Sequence, residues 1–229
     1  WNKKEVEVKQ RNVRSIGIAG SICGSGVTHL SIALANYAAS GLGEKTACLE
    51  LSRHGELSHW KAVNEKNYFT DAGISYYPDV QKDKIPILLN RDYDKIIMDV
   101  GDAYIEFREE LLRCDQKIVL LNLNPWQEFA AERLIRMMQS EDWGGIKPVF
   151  AGVFIEDAVR KKFEKTYGIQ MLKIPWIPDP RCPYRRFFLY GISVKCYRKR
   201  KKKKITTTLL EKGIYQFFTN SSCMFLVWG

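Results

Sequence analysis

The sequence predicts an α/β domain with a doubly wound, mostly parallel sheet flanked by helices. Three observations predict it. Short apolar runs alternate with longer helical patterns from Val13 to Pro178, the signature of strand–helix repetition. Some runs, such as "KIVLLNL" (Lys117 to Leu123), are apolar almost throughout, as strands covered on both faces are. The first run also opens into the first helix through a glycine-rich turn, "GSICGSG" (Gly20 to Gly26).

The elements follow in order. "VRSIGIAG" (Val13 to Gly20) reads as a short buried strand. "VTHLSIALANYAAS" (Val27 to Ser40) is rich in alanine and places Leu30, Ile32, Ala33, Leu34 and Tyr37 at helical spacing. Gly41 to Gly43 stop it. "KTACLEL" (Lys45 to Leu51) is a second strand. Residues 52–92 carry a weaker pattern, in which "ISYY" and "IPILL" read as strands. "YDKIIMDVGD" (Tyr93 to Asp102) is a strand ending in acids and glycine, and "AYIEFREELLRC" (Ala103 to Cys114) a helix. After the "KIVLLNL" strand comes the helix "PWQEFAAERLIRMMQS" (Pro125 to Ser140), with Asn124 as its expected cap and Pro125 in its first turn. Trp126 and Trp143 are expected to pack against that helix. "KPVFAGVFI" (Lys147 to Ile155), "DAVRKKFEKTYG" and "IQMLKIPWIP" (Ile169 to Pro178) complete the set as strand, helix and strand.

The domain reading is a lead-in over 1–12, a core over 13–180, and a C-terminal helix with a basic tail over 181–229. With 45% hydrophobic residues, the core has enough apolar material for one sizeable domain. No apolar run approaches the roughly 20 residues that span a bilayer, and the start carries no signal-peptide pattern. Six scattered cysteines without a C-x-x-C pair read as reduced thiols in a cytoplasmic protein. The formal charge is +10, but "KCYRKRKKKK" (Lys195 to Lys204) holds eight basic residues and no acid. Removing those eight leaves +2, so the basicity is local.

The glycine turn is the strongest candidate site. A turn from a first strand into a first helix gathers backbone N–H groups, and the helix N-terminus adds positive potential. Gly24, Ser25, Gly26, Val27 and Thr28 are the candidate phosphate-binding residues. The Thr28 hydroxyl suits a magnesium ion, and Asp99, at the end of an apolar strand, could support that metal through water. A second reading stays open, in which Gly24 and Gly26 only permit a tight turn. Asp102 has two readings as well, a metal partner or a cap for the next helix, and the cap is the expected one. His54 and His59 read as surface residues.

The ordered set "IGIAGSICGSGVTHLSIALANYAAS", "KTACLELSRHGEL", "YDKIIMDVGD" and "CDQKIVLLNLNPWQEFAAERLIRMM" resembles the ParA/MinD family of P-loop ATPases over residues 13–180. The resemblance implies a parallel sheet flanked by helices, ATP and magnesium as cofactors, a homodimer closed around the nucleotide, and a role in positioning cellular cargo. The chain departs from the family's K-G-G-x-G-K-[ST] loop at telling places. Ile22 stands at the lysine that reaches across the dimer, Cys23 at the first glycine, and Val27 at the lysine that neutralises phosphate charge. Glu50 and Ser52 replace the family's D-x-D acids, and Phe154 and Ile155 lie where an asparagine reads adenine. Altered loops of this kind also occur in the similar CpaE/TadZ type. The expected function is therefore a pseudo-ATPase in a regulatory or positioning role. ATP·Mg binding is weak or absent and hydrolysis slow at most, with no catalytic residue assigned.

Two alternatives remain: a nucleotide-free scaffold for a protein partner, and a dinucleotide-binding enzyme with Glu50 as its ribose acid. Against the enzyme, His29 stands where close helix packing needs a third glycine. In the tail, the lysine run precedes "ITTTLLEKGIYQFF", whose Ile205, Leu209, Ile214, Phe217 and Phe218 share one helical side. That combination suits peripheral attachment to an anionic membrane, at on the order of 1 kcal/mol per basic residue. Non-specific nucleic-acid binding is the second reading, and a solvated tail without a role the third.

Overall fold

A computed structural model describes residues 14–181. The lead-in over 1–12, Cys182, the basic run and the amphipathic segment lie outside the described residues.

The described residues form fourteen named elements. They are β1 (Arg14–Gly20), α1 (Val27–Asn36), β2 (Thr46–Glu50), α2 (Glu56–Trp60), β3 (Phe69–Asp71), β4 (Ile74–Tyr77) and α3 (Ile85–Leu89), then β5 (Lys95–Gly101), α4 (Arg108–Arg113), β6 (Gln116–Leu120), α5 (Glu128–Gln139), β7 (Val149–Val153), α6 (Asp157–Tyr167) and β8 (Met171–Ile174). The eight strands make one sheet in the order β3-β4-β2-β5-β1-β6-β7-β8. Every neighbouring pair is parallel except β3 with β4. The α/β, doubly wound, mostly parallel fold expected from the sequence is the one observed.

The central strands show why their runs are so apolar. Every residue of β2 and of β5 is buried. Helices cover both faces, so these strands lack the polar alternation of a half-exposed sheet. The core gathers Ile96, Met98 and Val100 of β5 with Leu111 of α4 and Leu134, Ile135 and Met138 of α5. The two halves of the sheet grow outward from β1, so the loop after β1 lies at the carboxyl edge where the strand order reverses, the usual ligand position in such folds.

Several local expectations are corrected. "IPILL" is the helix α3, with Pro86 in its first turn, where a missing N–H costs nothing. A run of five apolar residues is ambiguous between strand and helix. The second strand of the irregular region pairs instead with β3 in a hairpin. Its turn residues Ala72 and Gly73 both take positive φ, 48° and 79°, as a tight right-twisted hairpin requires. The helix expected from Ala103 begins only at Arg108, after a series of turns. The helix expected from Pro125 begins at Glu128. Asn124 does not cap it through its side chain. Its carbonyl accepts from Gln127 and Glu128 N–H, at 2.8 and 2.9 Å, in the preceding turn. Trp126 does not pack there either, being 72% exposed, whereas Trp143 packs against the core and donates to the Met138 carbonyl at 3.1 Å. The first helix ends in a π-helical turn, Tyr37–Gly41.

Close helix–sheet contact depends on Gly17 in β1. A Cβ there would lie 2.5 Å from Leu111 Cδ1 and 2.8 Å from Cys114 Sγ, and both neighbours are buried. Gly17→Ala is therefore expected to cost about 1–3 kcal/mol by overpacking. Thermal denaturation would register this as a drop of roughly 2–4 °C per kcal/mol. An unchanged midpoint would mean that α4 shifts freely.

Candidate functional site

The glycine loop is built by backbone geometry. At the end of β1, Ser21 N–H donates to the Leu120 carbonyl of β6 at 2.9 Å, and Asn122 N–H donates to Ser21 Oγ at 3.1 Å. These bonds pin the loop's start. Gly24 and Gly26 then take φ of 76° and 91°, a region glycine enters at no steric cost. Gly20 needs its missing side chain for another reason: a Cβ would lie 2.1 Å from Ser25 Oγ and 2.7 Å from Val27 Cγ2. The loop thus folds back onto its own strand. Gly26 is the N-cap of α1, with no side-chain cap and no acid in the first turn. The helix presents its first N–H groups without a side-chain partner, the arrangement that receives an anion. Ser25 Oγ is buried there without a partner. Val27 is buried and contributes no charge.

Below the loop lie two buried carboxyls in register on neighbouring strands, Glu50 of β2 and Asp99 of β5. Asp99 Oδ1 accepts from Gly101 N–H at 3.1 Å, while Oδ2 has no partner with hydrogen-bond geometry. Burial pushes the Asp99 pKa up to about 7, against the opposing pull of the Thr28 hydroxyl beside it. Glu50 Oε1 accepts from Leu57 N–H at 3.2 Å, and Oε2 has no partner. Burial and the neighbouring Glu56 carboxyl push Glu50 up to about 7 as well. Ser52 Oγ reaches Glu56 Oε2 at 3.5 Å. A buried, backbone-bonded Glu50 is not presented to a ribose, which counts against the dinucleotide reading.

Asp102 does not cap α4, which begins six residues later. Its Oδ1 instead accepts from His54 Nε2 at 2.8 Å, and His54 Nδ1 lies 3.9 Å from Cys23 Sγ. The hydrogen bond from Asp102 raises the His54 pKa. His54 is surface-exposed as expected, but it sits at the glycine loop. The nearby Arg53 is engaged with Glu106 at 2.6 Å.

The loop separates two cavities. One, of about 430 Å³, is lined by Gly24 to Gly26 together with His29, Leu123, Phe154, Trp176 and Ile177, among others. His29 Nε2 donates to the Ile177 carbonyl at 2.7 Å, and its ring stacks on Trp176. Phe154 also packs on Trp176, at 5.2 Å between centroids. The other cavity, of about 130 Å³, lies between the loop from Ile22 to His29 and Ser52, His54, Glu56, Gly101 and Asp102. Among the described residues, neither lining includes a lysine or arginine. Among the described residues no group of three His, Cys, Asp or Glu side chains is placed to hold a metal ion. A magnesium ion would rest on Thr28, with the unpartnered Asp99 oxygen in support, and a hydroxyl beside a carboxylate suits that hard cation. The fold brings together the residues singled out by the sequence, Gly24, Ser25, Gly26, Val27, Thr28 and Asp99. Sequence reading missed Glu56, Trp176 and the His54–Asp102 pair.

By sequence the chain matches no family model and no curated protein. By structure it is similar to several ATP-handling proteins. Cobyrinic acid a,c-diamide synthase from Mycobacterium smegmatis, with bound ATP analog and magnesium, superposes with a TM-score of 0.62 at 14% identity, covering 85% of this chain and 100% of that one. A ParA family ATPase from Chlorobium tepidum TLS gives 0.58 at 14% identity, covering 72% and 84%. The septum site-determining protein MinD from Pyrococcus horikoshii OT3, complexed with Mg-ADP, gives 0.53 at 16% identity, covering 72% and 82%. The fold is thus that of the ParA/MinD-type P-loop proteins. No helix of the described residues is long and apolar enough to cross a membrane.

The two buried carboxyls set a pH dependence. Each has a folded pKa of about 7, above its ordinary value of 3.8 for Asp99 and 4.5 for Glu50. Folding therefore takes up protons between those limits, and the stability it brings is full at the acid end and lost as pH rises through 7. The slope is at most about 1.4 kcal/mol per pH unit for each group. Chemical denaturation from pH 4.5 to 7.5 should show stability falling with pH, and Asp99→Asn should flatten the curve. The same slope in both proteins would remove Asp99 from this account.

Proposed function

We propose that this chain is a ParA/MinD-like P-loop protein with a regulatory or positioning role, which binds ATP·Mg weakly and hydrolyses it slowly or not at all. One observation carries the reading. A helix start without a side-chain cap and a buried carboxylate with one unpartnered oxygen, Asp99 Oδ2, meet at a loop bordered by an apolar cavity, with no ammonium or guanidinium of the described residues in either lining.

In this reading the N–H groups from Gly24 to Thr28 hold the phosphates, and Thr28 with Asp99 holds magnesium. The aromatic cavity beside Phe154 and Trp176 takes the base. When bound, magnesium supplies the neutralising charge that the loop lacks. Val27 is the decisive residue. Phosphoryl transfer depends on positioning and charge neutralisation, and one missing donor to developing charge costs about 2–4 kcal/mol. That alone is roughly a hundred- to a thousandfold in rate. Grip by main-chain amides survives this loss, because those groups do not depend on residue type. The solved neighbours holding an ATP analog or Mg-ADP support the nucleotide class. The second reading is a scaffold for a protein partner with no nucleotide, in which the glycines only shape the turn.

Titration calorimetry with ATP and magnesium separates the two. Weak heat is expected from the native protein, and Val27→Lys should tighten binding by about tenfold or more, in line with a charge-assisted contact. Silence from both proteins would leave the scaffold reading.

The positioning role extends to the basic run, Lys195 to Lys204, as an attachment to an anionic membrane. Liposome flotation should recover the full chain on vesicles rich in anionic lipid and lose it on removal of residues 195–229. Equal recovery of the truncated protein would refute the attachment, and retention on nucleic acid instead would favour the phosphate-backbone alternative.

A further inference from the structure

The glycine loop carries a thiol as well as amides. Cys23 is exposed, and its Sγ lies 3.9 Å from His54 Nδ1. Across the imidazole ring, Nε2 lies 2.8 Å from Asp102 Oδ1. An ionised carboxylate only accepts, so Nε2 carries the hydrogen and Nδ1 turns its lone pair towards the thiol. Nucleophile, base and orienting carboxylate thus stand in the order that activates a weak nucleophile. The contact at 3.9 Å is loose, as such contacts are before a reactant arrives.

The surroundings agree. The cavity of about 130 Å³ is lined by Cys23 from the loop and by His54 and Asp102 from the turns that face it. The charged groups facing His54 are Asp102, Glu56 and Asp99, all acids. All three favour an imidazole that accepts the thiol proton. The cavity holds only a few heavy atoms, which fits a small polar electrophile and not a peptide or an acyl chain.

We propose that Cys23, His54 and Asp102 form a nucleophilic thiol site whose substrate class is small hydroperoxides. The reaction balances without a cofactor. The Cys23 proton passes to His54 Nδ1, and the sulfur attacks the outer peroxide oxygen. An S–O bond forms as the O–O bond breaks. The leaving oxygen takes the proton back from His54 and departs as water or an alcohol. Sulfur is oxidised to the sulfenic acid and the peroxide is reduced. Cys48 and Cys114 are buried, so among the described residues no second thiol meets the sulfenic acid. The site does not rest on nucleotide binding.

The test uses the full chain, freshly reduced, near neutral pH. Hydrogen peroxide is added with dimedone as the trap, and labelled peptides are located by mass spectrometry. Iodoacetamide alkylation is followed in parallel. Cys23 should dominate labelling, and Cys23→Ser should abolish that signal. His54→Gln should slow both reactions by at least about tenfold, as loss of a general base does. Asp102→Asn should slow them less and displace the pH profile of alkylation. Circular dichroism checks each exposed-site variant for folding, and the three independent substitutions keep the result decisive. Equal rates in the native protein and His54→Gln would overturn the activation. A His54-dependent alkylation without dimedone label at Cys23 would overturn the hydroperoxide class.

Discussion

The site depends on one electrostatic constraint: its fixed positive potential comes from the main chain. Four acids lie under the loop, Glu50, Glu56, Asp99 and Asp102, and among the described residues no lysine or arginine lines either adjoining cavity. Two of those acids are wholly buried and sit near neutrality in proton affinity. A triphosphate entering such a place meets amide dipoles and carboxyls, without an ammonium group to balance it. On the proposed reading, its binding is therefore tied to a divalent cation far more tightly than in a loop with its own lysine. The same imbalance explains how two carboxyls tolerate neighbouring strands in register: protonation removes the repulsion that two ionised groups would create.

Packing holds this arrangement in place. Gly101 takes a φ of 58°, and a Cβ there would lie 2.6 Å from Ser52 Cβ. The turns after β2 and β5 therefore touch closely enough that a larger residue would separate them. That contact brings His54 to Asp102, and the bond from Gly101 N–H to Asp99 Oδ1 fixes the carboxyl from the same turn. Gly20 does for the loop what Gly101 does for the turns. Two close approaches, each needing an absent side chain, thus converge at the carboxyl edge of the sheet.

The sheet was legible because burial on both faces writes itself as unbroken apolar runs. β2 and β5 fall within one or two residues of their sequence boundaries, and β6 starts within one residue but ends three early. The helix starts were less legible. Ala103 to Phe107 and Asn124 to Gln127 have helix-compatible composition, yet they form turns that carry the chain over the sheet edge. "IPILL" failed for a different reason, since five apolar residues carry no period. The loop glycines and Asp99 were visible as a motif following a strand. The Cys23–His54–Asp102 group was not, because its members are 31 and 48 residues apart and belong to three separate turns. Only the sheet order brings those turns together. Trp176 likewise joins His29 from the far end of the chain.

The departures from a working phosphate loop and the presence of a thiol in it have a common physical root. A loop that must neutralise phosphate needs its lysines placed, and that placement fixes which positions must be glycine. With Val27 buried, the left-handed turns fall at Gly24 and Gly26, and Cys23 is not among the residues forced to positive φ. A side chain is therefore admitted at Cys23 without strain, on the side of the loop that faces His54. The cleft beneath it is bounded by the same backbone that offers amides to an anion. An oxygen added to the Cys23 sulfur would occupy part of that small volume and compete for those amides. If both proposals hold, anion binding and thiol chemistry draw on one set of N–H groups, and each is coupled to the other by shared space without any movement of the fold.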